Sequence, residues 1–330
     1  MLDVLRKYWN PIATSGEVND TPLSKVMLDE ELVVWRGANG KVTVMKDLCI
    51  HRGTKFTAGG KVEGDNIVCP YHGWSYGGDG VCNKIPSLPK GAPIPEKARA
   101  ITYPTREAFG VIWTAQSQDA KPFPSYLEEL EKDHAFKMFL VGTWDWKASA
   151  GRMIENAMDF SHFNFVHKGF TEIADGPVVK PFEVARTETG LNYSYNDGHL
   201  IRDYTLEFPF IIHDRKSVAN PDGGKTWSDA GGGNMGDVTV ISFAPAPMTE
   251  TTTRIYVFVS RNHSHDTPDQ DFVDGFDKIM EQDRGIVESQ RPEQIPVDVK
   301  EELHIRIPDQ HAIMYRRMLR EIGLTEEYMP

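Results

Sequence analysis

The segment from Cys49 to Trp74 constrains this chain more than any other. It contains two short ligand pairs, Cys49-Ile50-His51 and Cys69-Pro70-Tyr71-His72, and seventeen residues separate His51 from Cys69. Glycine turns lie between the pairs, so two loops are predicted that bring two thiols and two imidazoles together. A tetrahedral zinc ion accepts such ligands, and so does a [2Fe–2S] cluster with two thiolates on one iron and two imidazoles on the other. The spacing alone leaves both open.

The residues around the four ligands resemble a known motif. C-x-H-R-G, then seventeen residues after the histidine, then C-P-x-H-G-W is similar to the cluster motif of Rieske non-haem iron oxygenases. Ile50 departs from that motif, in which proline is usual, and this affects the stiffness of the loop but not ligation. The resemblance implies that Cys49, His51, Cys69 and His72 hold a [2Fe–2S] cluster.

The length and the net charge of the chain limit the classes of protein to which it can belong. With 330 residues, 40% of them hydrophobic and 25% charged, the chain is long enough for two globular domains. Its net charge of −12 argues against nucleic acid as a partner, because no basic run is present to neutralise phosphates. The acidic surface suits either simple solubility or the guidance of a basic redox partner.

The cysteine count and the N-terminus indicate the compartment. Two of the three cysteines belong to the predicted metal loops, so a disulfide scaffold is excluded and a reducing compartment fits. The third, Cys82, is predicted to be a buried structural thiol. Residues 1–9 have no apolar stretch, so they are not expected to be a signal peptide, and no run is long enough for a membrane span. We expect a cytoplasmic protein.

Hydrophobic patterning predicts an α+β protein with an antiparallel β domain over residues 1–120 and a second domain over 121–330. In the first domain, strands are predicted at 24–27, 31–36, 41–47 and 110–115. The proline-containing segment 116–124 is predicted to be the linker. In the second domain, strands are predicted near 142–148, 178–186, 190–196, 201–210, 237–244 and 252–261, and helices near 126–132, before Ser161, at 268–290 and at 309–322.

The glycine- and aspartate-rich segment 214–236 is predicted to be a long connection within the second domain. It contains Gly231-Gly232-Gly233-Asn234-Met235-Gly236, which matches the G-x-G-x-x-G pattern of dinucleotide-binding loops. That fingerprint needs a strand before it and a helix after it, whereas here a strand is predicted to follow, so we discount it. No reductase domain is expected, and electrons would come from another protein.

A pair of histidines lies in the second domain. His162 and His167 are five residues apart, which separates them by about 140° on an unbroken helix. The pair can therefore share a metal ion only if the helix bends or ends between them. Independent packing of the two side chains is the alternative.

The long C-terminal helix carries a carboxylate in an unusual place. One apolar stripe of the predicted helix consists of Phe272, Phe276, Ile279, Asp283 and Ile286. A buried carboxylate is costly unless it has a hydrogen-bonded partner, a cation or a metal ion. Asp283 is therefore a candidate metal ligand with a structural salt bridge as the alternative, whereas Glu281 and Glu288 are predicted to face solvent. Two histidines and one carboxylate form the facial triad of non-haem Fe(II) oxygenases.

The resemblance to Rieske oxygenases extends over nearly the whole chain. The run with Asn156, Asp159, His162 and His167 is similar to the N-x-x-D-x-x-H-x-x-x-x-H catalytic motif of the α subunits, and the segment around Asp283 resembles the one that holds the third ligand. This implies that His162, His167 and Asp283 hold Fe(II). The chain looks like the monooxygenase branch that includes vanillate and dicamba O-demethylases and saxitoxin-type hydroxylases.

The family resemblance also implies a Rieske domain plus a helix-grip domain, assembled as a head-to-tail homotrimer in which one subunit's cluster serves the next subunit's iron. Asp159 would bridge His72 of one subunit to His162 of its neighbour, because an ionised carboxylate accepts hydrogen bonds from both imidazoles. For Asn156, a role in the pocket wall or in supporting a ligand and a role in simple packing are both open.

We therefore predict a terminal oxygenase that uses dioxygen to hydroxylate a small substrate, which is aromatic or otherwise largely apolar. Electrons would come from NAD(P)H through a separate ferredoxin or flavin reductase. Hydroxylation of an O- or N-methyl group would release formaldehyde, and the family also includes enzymes that dihydroxylate arenes. Two other hypotheses are an electron carrier without oxygenase activity, against which the position of Asp283 argues, and a ligand-binding module with structural zinc, which leaves the histidine pair unexplained.

Overall fold

The chain forms two compact units. The computed structural model describes residues 2–173, 176–220 and 233–324. One unit runs from Leu2 to Phe123, and the other begins at Pro124. Antiparallel strands dominate both, and the second unit carries the long helices, which confirms the predicted α+β class. Within the described ranges, no helix is both long and apolar enough to cross a membrane.

The first unit contains three small antiparallel sheets among its described residues, with the strand orders β1-β11-β10, β2-β3-β4-β9 and β5-β6-β7-β8. The strands are β1 (Asn10–Thr14), β2 (Leu23–Met27), β3 (Glu30–Arg36), β4 (Val42–Lys46), β5 (Lys61–Glu63), β6 (Asn66–Val68), β7 (Ser75–Gly77), β8 (Cys82–Lys84), β9 (Thr102–Tyr103), β10 (Thr105–Ala108) and β11 (Val111–Thr114), and 3-10 helices cover Leu2–Lys7 and Ser15–Glu17. The four strands predicted for this unit, β2, β3, β4 and β11, are confirmed.

The three cysteines lie in the apolar core of the first unit. Cys49, Cys69 and Cys82 share one buried cluster with Trp35, Met45, Phe56, Ile67 and Tyr76. Cys82 is 3% exposed, and its Sγ lies 3.6 Å from the carbonyl oxygen of Lys84, as expected of a buried structural thiol. This packing holds the sulfur atoms away from water.

The second unit is built on a seven-stranded antiparallel sheet with the order β12-β18-β17-β16-β15-β14-β13. Its strands are β12 (Lys137–Trp146), β13 (Val184–Arg186), β14 (Gly190–Asn196), β15 (Leu200–Glu207), β16 (Ile211–Val218), β17 (Val238–Pro247) and β18 (Thr253–Arg261). Its helices are α1 (Tyr126–Lys132), α2 (Ala150–Met158), α3 (Phe163–Val166), α4 (Asp269–Val287) and α5 (Arg306–Glu321).

Helices α2 and α4 pack on this sheet. Helix α4 lies against β12, and α2 lies against β16 and β17. The buried side chains between them include Met153 from α2, Phe272 and Phe276 from α4, and Ile241 and Val257 from the sheet. Burial of such side chains stabilises the unit because each removes a large apolar surface from water.

Strand β16 is the main correction to the predicted elements. The segment from residue 214 was expected to begin a loop, but Ile211–Val218 is a strand paired on both sides. The polar run His213-Asp214-Arg215-Lys216 caused the wrong prediction, because polar residues usually indicate a loop. In the structure His213, Asp214 and Lys216 are buried, with exposed fractions of 0%, 5% and 6%. Alternation of apolar and polar residues therefore fails where buried polar groups neutralise each other. Residues 221–232, including Gly231 and Gly232 of the glycine-rich motif, lie outside the described residues.

Four smaller differences from the predictions concern two strand boundaries, Ile286 and Glu288. The strand predicted at 178–186 is limited to Val184–Arg186, and the strand predicted from residue 142 begins at Lys137. On α4, Ile286 is 53% exposed and Val287 is 2% exposed, so the apolar stripe continues from Asp283 by four residues rather than three. Glu288 is only partly solvated, because its carboxylate accepts a hydrogen bond from the backbone N–H of Lys147 and pairs with Arg284.

A buried ion-pair network ties α2 to α5 in the second unit. Arg152 and Arg316 have side chains that are 1% exposed, and both donate hydrogen bonds to the carboxylate of Glu302. Arg316 also forms a bidentate pair with Glu155 on α2, at 2.5 and 2.7 Å. Burial alone would raise the pKa of Glu302, but the hydrogen bonds from Arg152 and Arg316 overcome it and lower that pKa to about 2.

We expect Glu302→Gln to destabilise the protein at neutral pH by about 1–3 kcal/mol, because the buried Arg152 loses its anionic partner and Arg316 keeps only Glu155. The pKa of Glu302 is depressed, so its contribution is present above the ordinary value of 4.5 and is lost as pH falls towards about 2. Urea unfolding from pH 7 to pH 2 should show the difference from wild type shrinking across that window. Glu301→Gln, at an exposed neighbouring position, is the control and should unfold like wild type. If Glu302→Gln lowered the free energy of unfolding by the same amount at all pH values, the prediction would be contradicted.

Candidate metal centres

Two similar turns present the ligand residues of the first unit. In the first, the N–H of Gly53 donates to the carbonyl of Cys49 at 2.9 Å, and in the second the N–H of Gly73 donates to the carbonyl of Cys69 at 3.1 Å. Both glycines have positive φ values, 71° and 70°, which favour glycine over other residues. The C-x-x-x-G spacing in both loops thus produces two matching turns that each present one cysteine and one histidine.

The side chains on these turns face one another. The rings of His51 and His72 have centroids 4.6 Å apart, and His51 stacks on Trp74 at 4.3 Å. Cys49 and Cys69 are 1% and 2% exposed. His51 Nδ1 is buried and has no hydrogen-bond partner among the described residues, as expected of a nitrogen whose lone pair is reserved for a metal. Two thiols and two imidazoles in this arrangement fit a [2Fe–2S] cluster of mixed ligation.

Neighbouring groups affect the charge and the hydrogen bonding of the sulfur atoms of Cys49 and Cys69. The hydroxyl of Tyr76 lies 3.2 Å from Cys49 Sγ. Burial raises the pKa of the Cys69 thiol, the backbone N–H groups of Tyr71 and His72 partly offset this, and the nearby Cys49 raises it further. Both sulfurs would be thiolates as metal ligands, and a hydroxyl donating to a thiolate stabilises its negative charge.

The second candidate centre forms where α2 ends. Asp159 follows Met158, the last residue of α2, in an extended conformation with ψ of 131°. Its carboxylate accepts hydrogen bonds from the backbone N–H groups of Ser161 and His162, at 2.8 and 3.2 Å, which shapes the turn. His162 then precedes the single-turn helix α3, and His167 follows it. The chain is not one unbroken helix, so the two imidazoles can face the same point.

His162, His167 and Asp283 come together in the structure. Their ligand atoms all lie within 4.8 Å of one another. Asp283 Oδ1 on α4 lies 3.5 Å from His162 Nε2 and 3.2 Å from His167 Nε2. Asp283 is 6% exposed and His167 is 1% exposed. The three side chains therefore meet at a single, largely buried point.

Side chains behind the two histidines orient their rings. His162 Nδ1 lies 3.0 Å from Asp159 Oδ2, and His167 Nδ1 lies 2.9 Å from Gln282 Oε1. Both partners are oxygen acceptors, so each Nδ1 carries the proton and each Nε2 presents a lone pair towards Asp283. Two imidazole lone pairs and one carboxylate oxygen then converge, which is unfavourable without a cation. This donor set fits Fe(II) with open coordination positions.

The pKa of Asp159 agrees with a proton on Nδ1 of His162. Burial alone would raise the pKa of Asp159, but the hydrogen bonds from His162 and Ser161 oppose it, and that pKa is lowered to about 2. The carboxylate is therefore ionised at neutral pH and accepts from the His162 N–H. The contact between Asp159 and His162 is made across the turn that follows α2.

The three residues border a pocket in the second unit. The space not occupied by atoms is about 460 Å³, open mouth included. Its walls are largely apolar, with Phe163, Phe243, Phe276, Ile241 and Ile279 among them. Asn156 also lines the pocket, and its Nδ2 lies 3.5 Å from Asp283 Oδ1. Apolar walls with a few polar groups among them are typical of a site for a small molecule.

Three residues near the site were not singled out from the sequence. Gln282 is the partner of His167, and Asp214 and Lys216 line the pocket. Gln282 precedes Asp283 directly, which would have been a signal, because a residue next to a ligand can reach a neighbouring ligand. Asp214 and Lys216 were hidden because their strand was predicted to be a loop.

Comparisons with known proteins identify the family. The Rieske [2Fe-2S] domain matches residues 8–104, and the Vanillate O-demethylase oxygenase C-terminal domain matches residues 146–199 and 202–324. The methylxanthine N1-demethylase NdmA of Pseudomonas putida is 28% identical, over 97% of this chain and 90% of NdmA. The structure of the P. putida CBB5 NdmA QL mutant with theobromine superposes with a TM-score of 0.82 at 27% identity, over 97% of this chain and 91% of that chain. Dicamba monooxygenase bound to dicamba, at 20% identity, shares the fold with a TM-score of 0.80, over 96% of this chain and 97% of that chain.

A Rieske domain followed by an oxygenase domain of the vanillate O-demethylase type defines a class of terminal oxygenases. The chain belongs to the Rieske non-haem iron oxygenases, as an α subunit of the O-demethylase branch. It is therefore an oxidoreductase that incorporates oxygen, and the predicted resemblance is confirmed. The Rieske domain supports the [2Fe–2S] cluster over the zinc alternative.

We expect Tyr76→Phe to lower the reduction potential of the cluster by on the order of tens of mV. The change removes the hydroxyl that lies 3.2 Å from Cys49 Sγ, and hydrogen bonds to cluster sulfurs stabilise the reduced state. A redox titration followed by visible absorption measures the potential. Tyr71→Phe is the control, because the Tyr71 side chain is 60% exposed and lies largely in solvent. An unchanged potential in Tyr76→Phe would contradict the expectation.

We expect Gln282→Leu to weaken iron retention in the second unit about 10-fold or more, because His167 loses the acceptor that orients its ring. Iron per chain after dialysis against a graded chelator series measures this. Gln282→Glu keeps an acceptor and should retain iron. Glu281→Leu, at the exposed neighbouring position, should behave like wild type. Equal iron loss in Glu281→Leu and Gln282→Leu would sink the proposed role of Gln282.

Proposed function

We propose that this chain is a monooxygenase that removes a methyl group from nitrogen or oxygen of a small aromatic or heteroaromatic substrate. Residues 1–120 form the Rieske domain, in which Cys49, His51, Cys69 and His72 hold the cluster. Residues 121–330 form the catalytic domain. In it, His162, His167 and Asp283 hold Fe(II).

One observation carries the proposal. Three ligand atoms of the facial-triad type lie within 4.8 Å of one another at the edge of an apolar pocket. Iron bound there would supply a site at which dioxygen meets the substrate, and the cluster would supply electrons singly. NdmA, which is named a methylxanthine N1-demethylase, supports demethylation over the other reactions of the family.

The overall reaction balances with two electrons and two protons. One oxygen atom of dioxygen enters a C–H bond of the methyl group, and the other leaves as water. The resulting hydroxymethyl group loses formaldehyde when its bond to nitrogen or oxygen breaks and the heteroatom takes the proton. The aromatic walls from Phe163, Phe243 and Phe276 hold a flat substrate and exclude water from it.

Two residues position the ligands in this proposal. Asp159 keeps the proton on Nδ1 of His162, so that Nε2 faces the metal position. Asp159 also bridges to His72 of the neighbouring subunit in a head-to-tail homotrimer. Asn156 donates to Asp283 Oδ1 at 3.5 Å and thereby limits the rotation of that carboxylate.

The electron source is a separate ferredoxin or flavin reductase that oxidises NAD(P)H. The net charge of −12 supports a partner with a basic docking surface. All three cysteines are free and buried, which supports a reducing, cytoplasmic location.

A second candidate function is hydroxylation of a ring or side-chain carbon with retention of the alcohol. The same pocket and ligands would serve it, and the branch includes hydroxylases by resemblance. Two further hypotheses are dihydroxylation of an arene and electron transfer without oxygenase activity. Product analysis separates demethylation from these three reactions, because only demethylation releases one formaldehyde per dioxygen consumed.

We expect the protein purified without oxygen to contain about three irons and two acid-labile sulfides per chain. Asp283→Ala should retain the sulfides and fall to about two irons, because the facial triad loses its carboxylate. Iron and sulfide analysis, with formaldehyde measured after addition of a surrogate reductase, checks this.

The control for this test is Asp274→Ala, at an exposed position on the same helix α4, which should keep all three irons. Two irons and two sulfides in wild type after reconstitution would leave an electron carrier. Zinc without sulfide would remove the whole proposal.

A further inference from the structure

Strand β16 places two opposite charges at the pocket. Asp214 and Lys216 are two residues apart on one strand, so their side chains face the same side of the sheet. They are 5% and 6% exposed, and both line the pocket that borders His162, His167 and Asp283. Arg202 lies opposite Lys216 on β15 and is fully buried.

The charges of this group balance. Arg202 lies 3.2 Å from Asp197 Oδ2 and 3.4 Å from Asp214 Oδ2. Lys216 Nζ lies 3.7 Å from the same Asp214 Oδ2. Two carboxylates and two cations therefore sum to zero. Buried charges are tolerated only when compensated, so this group would resist a further uncompensated charge.

One oxygen of Asp214 lacks a partner. Oδ2 faces both cations, whereas Oδ1 is buried and accepts no hydrogen bond within the described part of the chain. A buried acceptor without a donor costs free energy that a ligand N–H or O–H would recover. Lys216, two residues along the strand, presents an ammonium donor to the same pocket. An acceptor and a donor thus lie two residues apart on one strand that borders the pocket.

We propose that Asp214 and Lys216 select the substrate. The pocket takes a neutral, flat ring that carries an N–H or O–H donor beside a carbonyl oxygen, as in a lactam or cyclic imide. Asp214 Oδ1 accepts from the ring donor, and Lys216 Nζ donates to the carbonyl. A carboxylate is disfavoured, because its charge would be uncompensated and would lie beside Asp214. This inference rests on the proposed function for the identity of the pocket.

Three matched probes test the proposal on the intact, cluster-containing protein. 1-Methyluracil has a ring N–H between two carbonyl groups, 1,3-dimethyluracil lacks that N–H, and 4-methoxybenzoate is an anion. Isothermal titration without reductant gives each Kd. We expect 1-methyluracil to bind about 10- to 100-fold more tightly than the other two. This comparison within wild type needs no variant. Equal binding of the two uracils, tighter binding of the benzoate, or no binding of 1-methyluracil at millimolar concentration overturns the proposal.

Variants then assign the two contacts. In Asp214→Asn the amide oxygen stays with Arg202 and Lys216, and the NH2 group takes the place of Oδ1. This variant therefore loses the acceptor and should abolish the discrimination between the two uracils, whereas Lys216→Met should weaken the binding of both uracils by about 10-fold. Arg215→Met is the matched control, because Arg215 lies between them on β16 but faces the opposite side of the sheet, and its affinities should equal those of wild type. Circular dichroism and the visible spectrum of the cluster verify folding. Discrimination that survives in folded Asp214→Asn overturns the assignment.

The test separates this inference from the proposed function. Binding that depends on Asp214, without formaldehyde after addition of reductant, would remove demethylation and leave the recognition intact. Formaldehyde release from all three probes at equal efficiency, without dependence on Asp214 or Lys216, would remove the recognition and leave demethylation.

Discussion

The catalytic unit depends on the convergence of three electron-pair donors on one point. His162 and His167 have their protons held on Nδ1 by Asp159 and Gln282, so both Nε2 atoms face Asp283. Neutral imidazole nitrogens and a carboxylate oxygen repel each other's lone pairs unless a cation lies between them. The surrounding fold must therefore hold the three groups in place, and binding of a metal ion converts that unfavourable arrangement into a stable one.

The fold supplies this rigidity from both sides. The histidines come from the turn that ends α2, and α2 is tied to α5 through Glu155 and Arg316. The carboxylate comes from α4, which is packed against the sheet through Phe272 and Phe276. Asp283 belongs to a helix and therefore keeps its position better than a side chain on a loop would, while the turn that carries His162 is held by the backbone hydrogen bonds that Asp159 accepts. The ligand atoms of His162, His167 and Asp283 lie within 4.8 Å of one another, as expected of groups that the surrounding fold holds in place.

The sheet contributes specificity as well as support. Its strands β15 and β16 bring Arg202, Asp214 and Lys216 together beside the pocket as part of a balanced set, while apolar residues form most of the remaining walls. Removing charges from water is costly, so such a set persists only where every charge has a partner. A pocket that combines apolar walls with a few placed polar groups, among them Asp214 and Lys216, binds a small molecule in a fixed orientation. Orientation decides which atom of a substrate faces the metal position.

The sequence alone predicted the family, through its resemblance to the Rieske oxygenase motifs, and the α+β class, and both are confirmed. It also singled out both groups of candidate ligands, because these depend on short local patterns. Paired Cys and His residues at close spacing define metal loops, and a carboxylate in an apolar stripe marks Asp283. Only the tertiary structure revealed three further features. Residues Ile211–Val218 form strand β16, Gln282 is the hydrogen-bond partner of His167, and Ile286 is exposed on α4 whereas Val287 is buried. The charges of β16 made its sequence resemble a loop. Asp214 is neutralised in part by Arg202 on the neighbouring strand, and this pairing across strands is not encoded by any local pattern.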